Sequence, residues 1–218
     1  MRYLITLSVA CLLTISLSAQ TKEKLSFKKL NSGIDLFTDI WQGMPDSVKT
    51  RAINQGINIY TMYTFPIKKS SFTFAIGAGI GSHNFYSKGV LKTNDTRSYF
   101  SPNKGVSYDK SKLNVTYVDF PLELRFKNKA QYRASVGFKL GVLISDHTKY
   151  KGNNYKQKSV KEKSIGVDNL ENLRYGITAL AGYKWINVTF FYSLTNVFVK
   201  DKGPQVYPIS IGIALRPF

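Results

Sequence analysis

Two histidines, His83 and His147, are the side chains in this chain best suited to moving a proton near neutral pH. Each has a serine close by: Ser82 adjoins His83, and Ser145 lies two residues before His147. A His–Ser pair at the lipid-facing rim of a membrane barrel can activate a hydroxyl against lipid esters, so both pairs are candidates for that chemistry. Adjacent strand residues point to opposite faces, which separates Ser82 from His83. Ser145 and His147 share a face, but no acid is placed to orient the imidazole. The single cysteine, Cys11, falls in an N-terminal apolar run, so a His/Cys metal site has little support. The expectation is a protein with no catalytic residues, no metal and no cofactor.

Ionic chemistry offers more. Along 113–126, Val118, Phe120, Leu122, Leu124 and Phe126 alternate with Tyr117, Asp119, Pro121, Glu123 and Arg125. The same alternation sets Phe72, Phe74, Ile76 and Ile80 against Thr73, Gly77, Gly79 and Gly81. On the side opposite the large apolar residues fall Asp35, Asp39, Asp119, Glu123, Arg125, Arg133, Lys139, Arg174, Lys184 and Arg216. If that side lines a narrow barrel, four acids among six bases can pair, and unpaired charge there would be costly. A connected network that plugs and stabilises the barrel is the expected arrangement. Glu123 opposite Arg133 would pair unlike charges, whereas Arg125 opposite Arg133 would not, which predicts the first register.

The elements that must carry these residues are strands. Period-two patterning predicts eight of them, near 32–41, 53–66, 71–86, 113–126, 131–145, 172–185, 187–198 and 206–217. The links at 67–70, 127–130 and 185–187 are short, while 42–52, 88–112, 148–171 and 199–205 are generally longer and polar. The closing segment alternates Tyr207, Ile209, Ile211, Ile213 and Leu215 with Pro208, Ser210, Gly212, Ala214 and Arg216. Together these predict an all-β fold: an eight-stranded antiparallel up-and-down transmembrane β-barrel with short periplasmic turns and longer extracellular loops. Aromatics fall where two interface belts belong: Phe65, Phe72, Phe126, Tyr132, Tyr183 and Trp185 near the short turns, and Trp41, Phe85, Tyr86, Tyr175 and Tyr207 towards the long loops.

Residues 1–19 read as a cleavable secretory signal, with basic Arg2, an apolar run and small residues before Thr21-Lys22. Residues 20–218 then form the barrel domain. The formal charge is +18. Export argues against nucleic acid as the balancing polyanion and favours phosphate-bearing surface lipid, including lipopolysaccharide, of a Gram-negative outer membrane. Segments 88–112 and 146–169 hold twelve bases against five acids. Lys88, Lys92, Arg97, Lys104, Lys149, Lys151, Lys156 and Lys158 are the candidate headgroup contacts.

Tyr117-Val-Asp-Phe-Pro-Leu-Glu-Leu-Arg-Phe126 resembles a recurring strand of Bacteroidetes outer-membrane β-barrel proteins, the group that includes the PorT-like family. Tyr175-Gly176, Gly182-Tyr183-Lys184 and Gly212–Leu215 look similar too. The resemblance implies an eight-stranded barrel delivered by the outer-membrane assembly machinery, with a structural or interaction role and envelope or secretion proteins as partners. Pro217 departs from the usual ending, because it moves Phe218 onto the parity of Arg216. Two other readings stay open: a lipid-active or ligand-binding barrel enzyme, and a soluble periplasmic barrel with its apolar face inward.

Overall fold

The computed structural model describes residues 29–46, 48–94, 96–102, 108–153 and 159–216. The expected signal with Cys11, the loop residues Lys104, Lys156 and Lys158, and the Pro217–Phe218 ending lie outside the described residues. Eight strands close a barrel: β1 (Leu30–Gln42), β2 (Gln55–Pro66), β3 (Phe72–Tyr86), β6 (Tyr108–Lys127), β7 (Tyr132–Asn153), β9 (Leu173–Tyr183), β10 (Ile186–Ser193) and β11 (Tyr207–Leu215). Three shorter strands complete the numbering: β4 (Gly89–Thr93), β5 (Ser98–Pro102) and β8 (Ser159–Ile165). The barrel strands follow one another in chain order, β6 beside β3, β9 beside β7, and β11 closes on β1 from Ile34↔Leu215 to Gln42↔Tyr207. The closing strand therefore removes the last free edge, which is what allows a sheet to cross a membrane.

Apolar residues cover the outside. Ile76, Ile80, Leu122, Val136, Ile213 and Leu215 are all exposed, while Asp39, Asp119, Glu123, Arg125 and Arg174 are buried inside. This arrangement is inverted relative to a soluble barrel, and it overturns the reading in which the apolar face points inward. The outside needs lipid as its solvent.

The turns at the short-link end fix the registers. In the β6–β7 turn, the Asn128 N–H donates to the Tyr132 carbonyl and Gln131 takes φ 68°. That left-handed residue closes a compact three-residue loop. It places Lys127 opposite Arg133, Arg125 opposite Ser135 and Glu123 opposite Gly137. The predicted Glu123–Arg133 pairing is thus incorrect: turn geometry sets the register, and the charges find partners on other strands. Lys69 (φ 57°) and Lys184 (φ 52°) take the same backbone region in the β2–β3 and β9–β10 turns.

The long-link end is more built than the sequence indicated. β6 and β7 continue well past the apolar band, and β8 pairs with the top of β7, making a three-stranded extension from residues read as loop. β4 and β5 form a separate hairpin. The register between β6 and β7 shifts once within the barrel, with Tyr117 opposite Leu143 and Thr116 opposite Ser145, so Ile144 is an extra residue. Such a bulge reverses which parity faces outward. Below it the even positions of β7 face lipid; above it the odd ones do.

Candidate functional site: a charged interior beneath an apolar roof

Asp39, Asp119 and Glu123 reach the interior because β1 and β6 alternate and their even-numbered neighbours are committed to lipid. Each acid is bound by more than one strand. Asp39 accepts from Ser210 Oγ on β11 and lies 2.8 Å from His83 Nδ1 on β3. His83 Nε2 meets Arg174 Nη1 from β9, and the Arg174 guanidinium grips both Asp119 oxygens at 2.8 and 3.0 Å. Lys139 on β7 adds a longer contact to Asp119, 3.6 Å, with its ammonium 4.3 Å from the Phe191 ring centroid. The Arg174 guanidinium also lies 4.0 Å over the Tyr117 ring. Glycines make room for this cluster: a Cβ on Gly141 would come within 2.5 Å of Asp119 Oδ1, and one on Gly81 within 2.7 Å of Oδ2.

A second cluster lies nearer the short turns. Arg216 donates from Nη1 to both Glu123 oxygens and from Nε to Tyr60 Oη, and Tyr60 in turn donates to Asp35. Arg125 donates from Nε to Glu123 Oε2 at 2.8 Å. Arg133 donates to the Arg216 carbonyl. Between the two clusters lies a small cavity, with about 30 Å³ open to the centre of a water molecule, bordered by Asp35, Tyr60, His83, Lys139 and Arg216.

Of the ten charged residues assigned to the interior, Lys184 does not reach it. It sits exposed in the β9–β10 turn, where left-handed backbone ends the alternation, and its ammonium lies 5.1 Å from the Tyr183 ring. The other nine are buried. Tyr60 and Ser210 belong to the same network. Both lie on the inward parity, but as neutral residues they escape a search for charge alone.

Over the outer end, Trp41, Val48, Phe85, Phe100, Leu113, Val115, Tyr117, Leu170, Val197, Phe198 and Val206 pack into one buried cluster. Trp41–Phe85, Phe85–Phe100 and Phe100–Phe198 meet edge to face at 4.7, 5.2 and 6.1 Å between ring centroids. Trp41 and Phe85 are therefore roof residues rather than members of an outer interface belt, because their odd positions share the inward parity of Asp39 and His83. The β4–β5 hairpin contributes Phe100 and is tied down through Ser98, whose N–H donates to the Lys202 carbonyl and whose Oγ donates to the Asp168 carbonyl. Lys88, Lys92 and Arg97, at this hairpin, are exposed.

The histidines have different surroundings. His83 is buried in the interior, and its neighbour Ser82 faces outward to Asn114 and Thr116. Ser145 and His147 both lie on the outward face of the extension, opposite Thr116 and Asn114. The adjacent Asp146 instead accepts the Val167 N–H from the other side. Partial burial, then the lysines Lys112, Lys163 and Lys149, hold the His147 pKa below the ordinary value.

The profile of the outer membrane protein beta-barrel domain family matches residues 18–199. No curated protein sequence matches the chain. Among solved structures, it is similar to the attachment invasion locus protein Ail of Yersinia pestis, crystallised with the heparin analogue sucrose octasulfate: 14% identity, 86% of this chain and 96% of that one, TM-score 0.35. A porin mutant from Rh. blastica is similar at 11% identity over 86% of this chain and 99% of that one, TM-score 0.24. With the family profile spanning most of a closed eight-stranded barrel, the chain belongs to the outer membrane protein beta-barrel domain family and is an outer-membrane protein.

Proposed function

We propose that this protein is a sealed barrel, non-enzymatic and non-conducting, which acts at its surface as a structural or interaction protein of the envelope. The observation that carries this is the interior itself. Two ionic clusters drawn from β1, β2, β3, β6, β7, β9 and the end of β11 each span the lumen, and the space between them accommodates about one or two waters. An eight-stranded barrel is filled by its own side chains, and here the filling is held by paired charge. The apolar roof adds a second obstruction. Reconstituted protein in planar bilayers should show no unitary conductance; reproducible ion-selective steps would overturn the reading.

The resemblance of Tyr117–Phe126 to PorT-like barrels of Bacteroidetes supports a link to protein secretion, with the outer-membrane assembly machinery as the partner that inserts the chain. Comparing secreted proteins between a deletion strain and its complemented parent tests that link. An unchanged secretome would remove it. For the non-enzymatic part, replacing both Ser145 and His147 by alanine should leave membrane lipid composition as it was.

A further inference from the structure

The three-stranded extension presents a face that pairing rules disfavour. Lys112 on β6 is opposite Lys149 on β7, and Lys149 is opposite Lys163 on β8. One row further out, Lys151 is opposite Lys161. Like charges placed directly across a sheet repel, and four of these five lysines sit two residues apart on neighbouring strands. Strand spacing puts adjacent columns about 5 Å apart and successive rows about 7 Å apart. Asp146 and Glu162 have the opposite parity: Asp146 accepts the Val167 N–H, and Glu162 is opposite Tyr150, between the rows of Lys149–Lys163 and Lys151–Lys161. Lys112, Lys149, Lys151, Lys161 and Lys163 therefore share one outward face, and neither Asp146 nor Glu162 lies on it.

The Ile144 bulge produces this face. Without the extra residue, Lys149 and Lys151 would share the parity of Lys139 and point towards the interior. The bulge instead aims them outward, directly above the lipid-facing band marked by Ile80, Val142 and Ile144. Ile165, 71% exposed, lies on the same face beside His147. Lysines above exposed isoleucines match a ligand that has phosphate above and acyl chain below. The low pKa of His147 is consistent with the positive field of these rows.

We propose that this outward face is a binding site for the phosphate groups of bisphosphorylated lipid A in the surrounding leaflet, with Lys149, Lys151, Lys161 and Lys163 as its principal contacts. Lys112, whose ammonium also donates to Asn84 Oδ1, anchors the inner edge. The proposal goes beyond the sealed-barrel reading and does not depend on it, because a conducting barrel could carry the same face.

The test uses full-length folded protein in neutral detergent micelles, with folding verified by heat-modifiable gel mobility. Binding of fluorescent bisphosphorylated lipid A is compared with that of its dephosphorylated form. The protein should prefer the phosphorylated lipid, and the preference should shrink as salt rises. Replacing Lys149, Lys151, Lys161 and Lys163 by glutamine should weaken binding roughly fivefold per lysine and more than about a hundredfold together. The matching arginine set should keep it. Equal affinity for the dephosphorylated lipid, or an unchanged affinity in the glutamine variant, would overturn the assignment. So would displacement of the lipid by millimolar inorganic phosphate or by a soluble sulfated polysaccharide.

Discussion

At the scale of single residues, Asp119 illustrates how this interior tolerates charge. Its side chain is 1% exposed, and its partners are Arg174 at 2.8 Å and Lys139 at 3.6 Å. Removing one member of a buried pair strands the other, at a cost of about 3–5 kcal/mol, whereas removing both can be nearly neutral. Arg174→Met should therefore lower the urea stability of the micelle-folded barrel by that amount, and adding Asp119→Asn should restore most of the loss. A double variant no more stable than the single one would argue against a desolvation origin. At His147 the sign is also fixed. Partial burial, Lys112, Lys163 and Lys149 push its pKa down, while Asp146 pulls it up. Lys149→Gln removes one repulsive neighbour, so NMR titration of the imidazole should give a higher pKa in the variant than in the parent. Asp35 and Glu123 can be placed inside from sequence because each is flanked by apolar residues committed to lipid. Lys184 cannot, because the alternation continues past it on paper while the backbone at φ 52° has already turned.

Among the elements, the barrel strands are readable and their extensions are not. Period two survives in β3, the lower part of β6 and β11 because lipid on one side and paired charge on the other punish any slip. Above the lipid, the outer faces of β6, β7 and β8 meet polar surroundings, and Lys, Asn and Ser erase the pattern, so 146–165 resembles loop. The Glu123–Arg133 prediction failed for a related reason: a turn outranks a single charge pair in choosing register. Gln131 takes left-handed backbone, which costs a β-branched residue more than glutamine. Gln131→Val should cost about 1–2 kcal/mol in unfolding measurements, with Gln131→Gly tolerated; equal stability of the two would remove the strain argument. The bulge at Ile144 makes a larger demand. Deleting Ile144 should turn Lys149 and Lys151 towards the apolar roof and destabilise the barrel by about 3 kcal/mol or more. In parallel, both lysines should lose reactivity towards an amine reagent applied from outside; retained labelling at full stability would show that the strands slip to compensate.

For the whole molecule, two surfaces rich in large apolar side chains obey different physics. Phe85 is 1% exposed and packs between Trp41 and Phe100 in the roof; Ile213 is 55% exposed on the outer wall of the barrel. Truncating Phe85 leaves a void among fixed neighbours, so the loss contains both the transfer of the ring and the cavity it leaves, about 3–5 kcal/mol for Phe→Ala. Truncating Ile213 leaves a notch that acyl chains fill. Only the transfer of a few methylenes into hydrocarbon is lost, about 1–2 kcal/mol. In phospholipid vesicles, Phe85→Ala should therefore destabilise the barrel about twofold to threefold more than Ile213→Ala. Surrounding solvent is the sharper control. Thinner or partly fluid detergent shells should change the Ile213 cost and leave the Phe85 cost alone, since the roof never meets lipid. If both costs responded equally, the outer wall would not be solvated by acyl chains in the way its exposed isoleucines, leucines and valines require. If the Phe85 loss alone tracked the detergent, the roof would have to open to the membrane, and the separation between a self-packed mouth and a lipid-packed wall would fail.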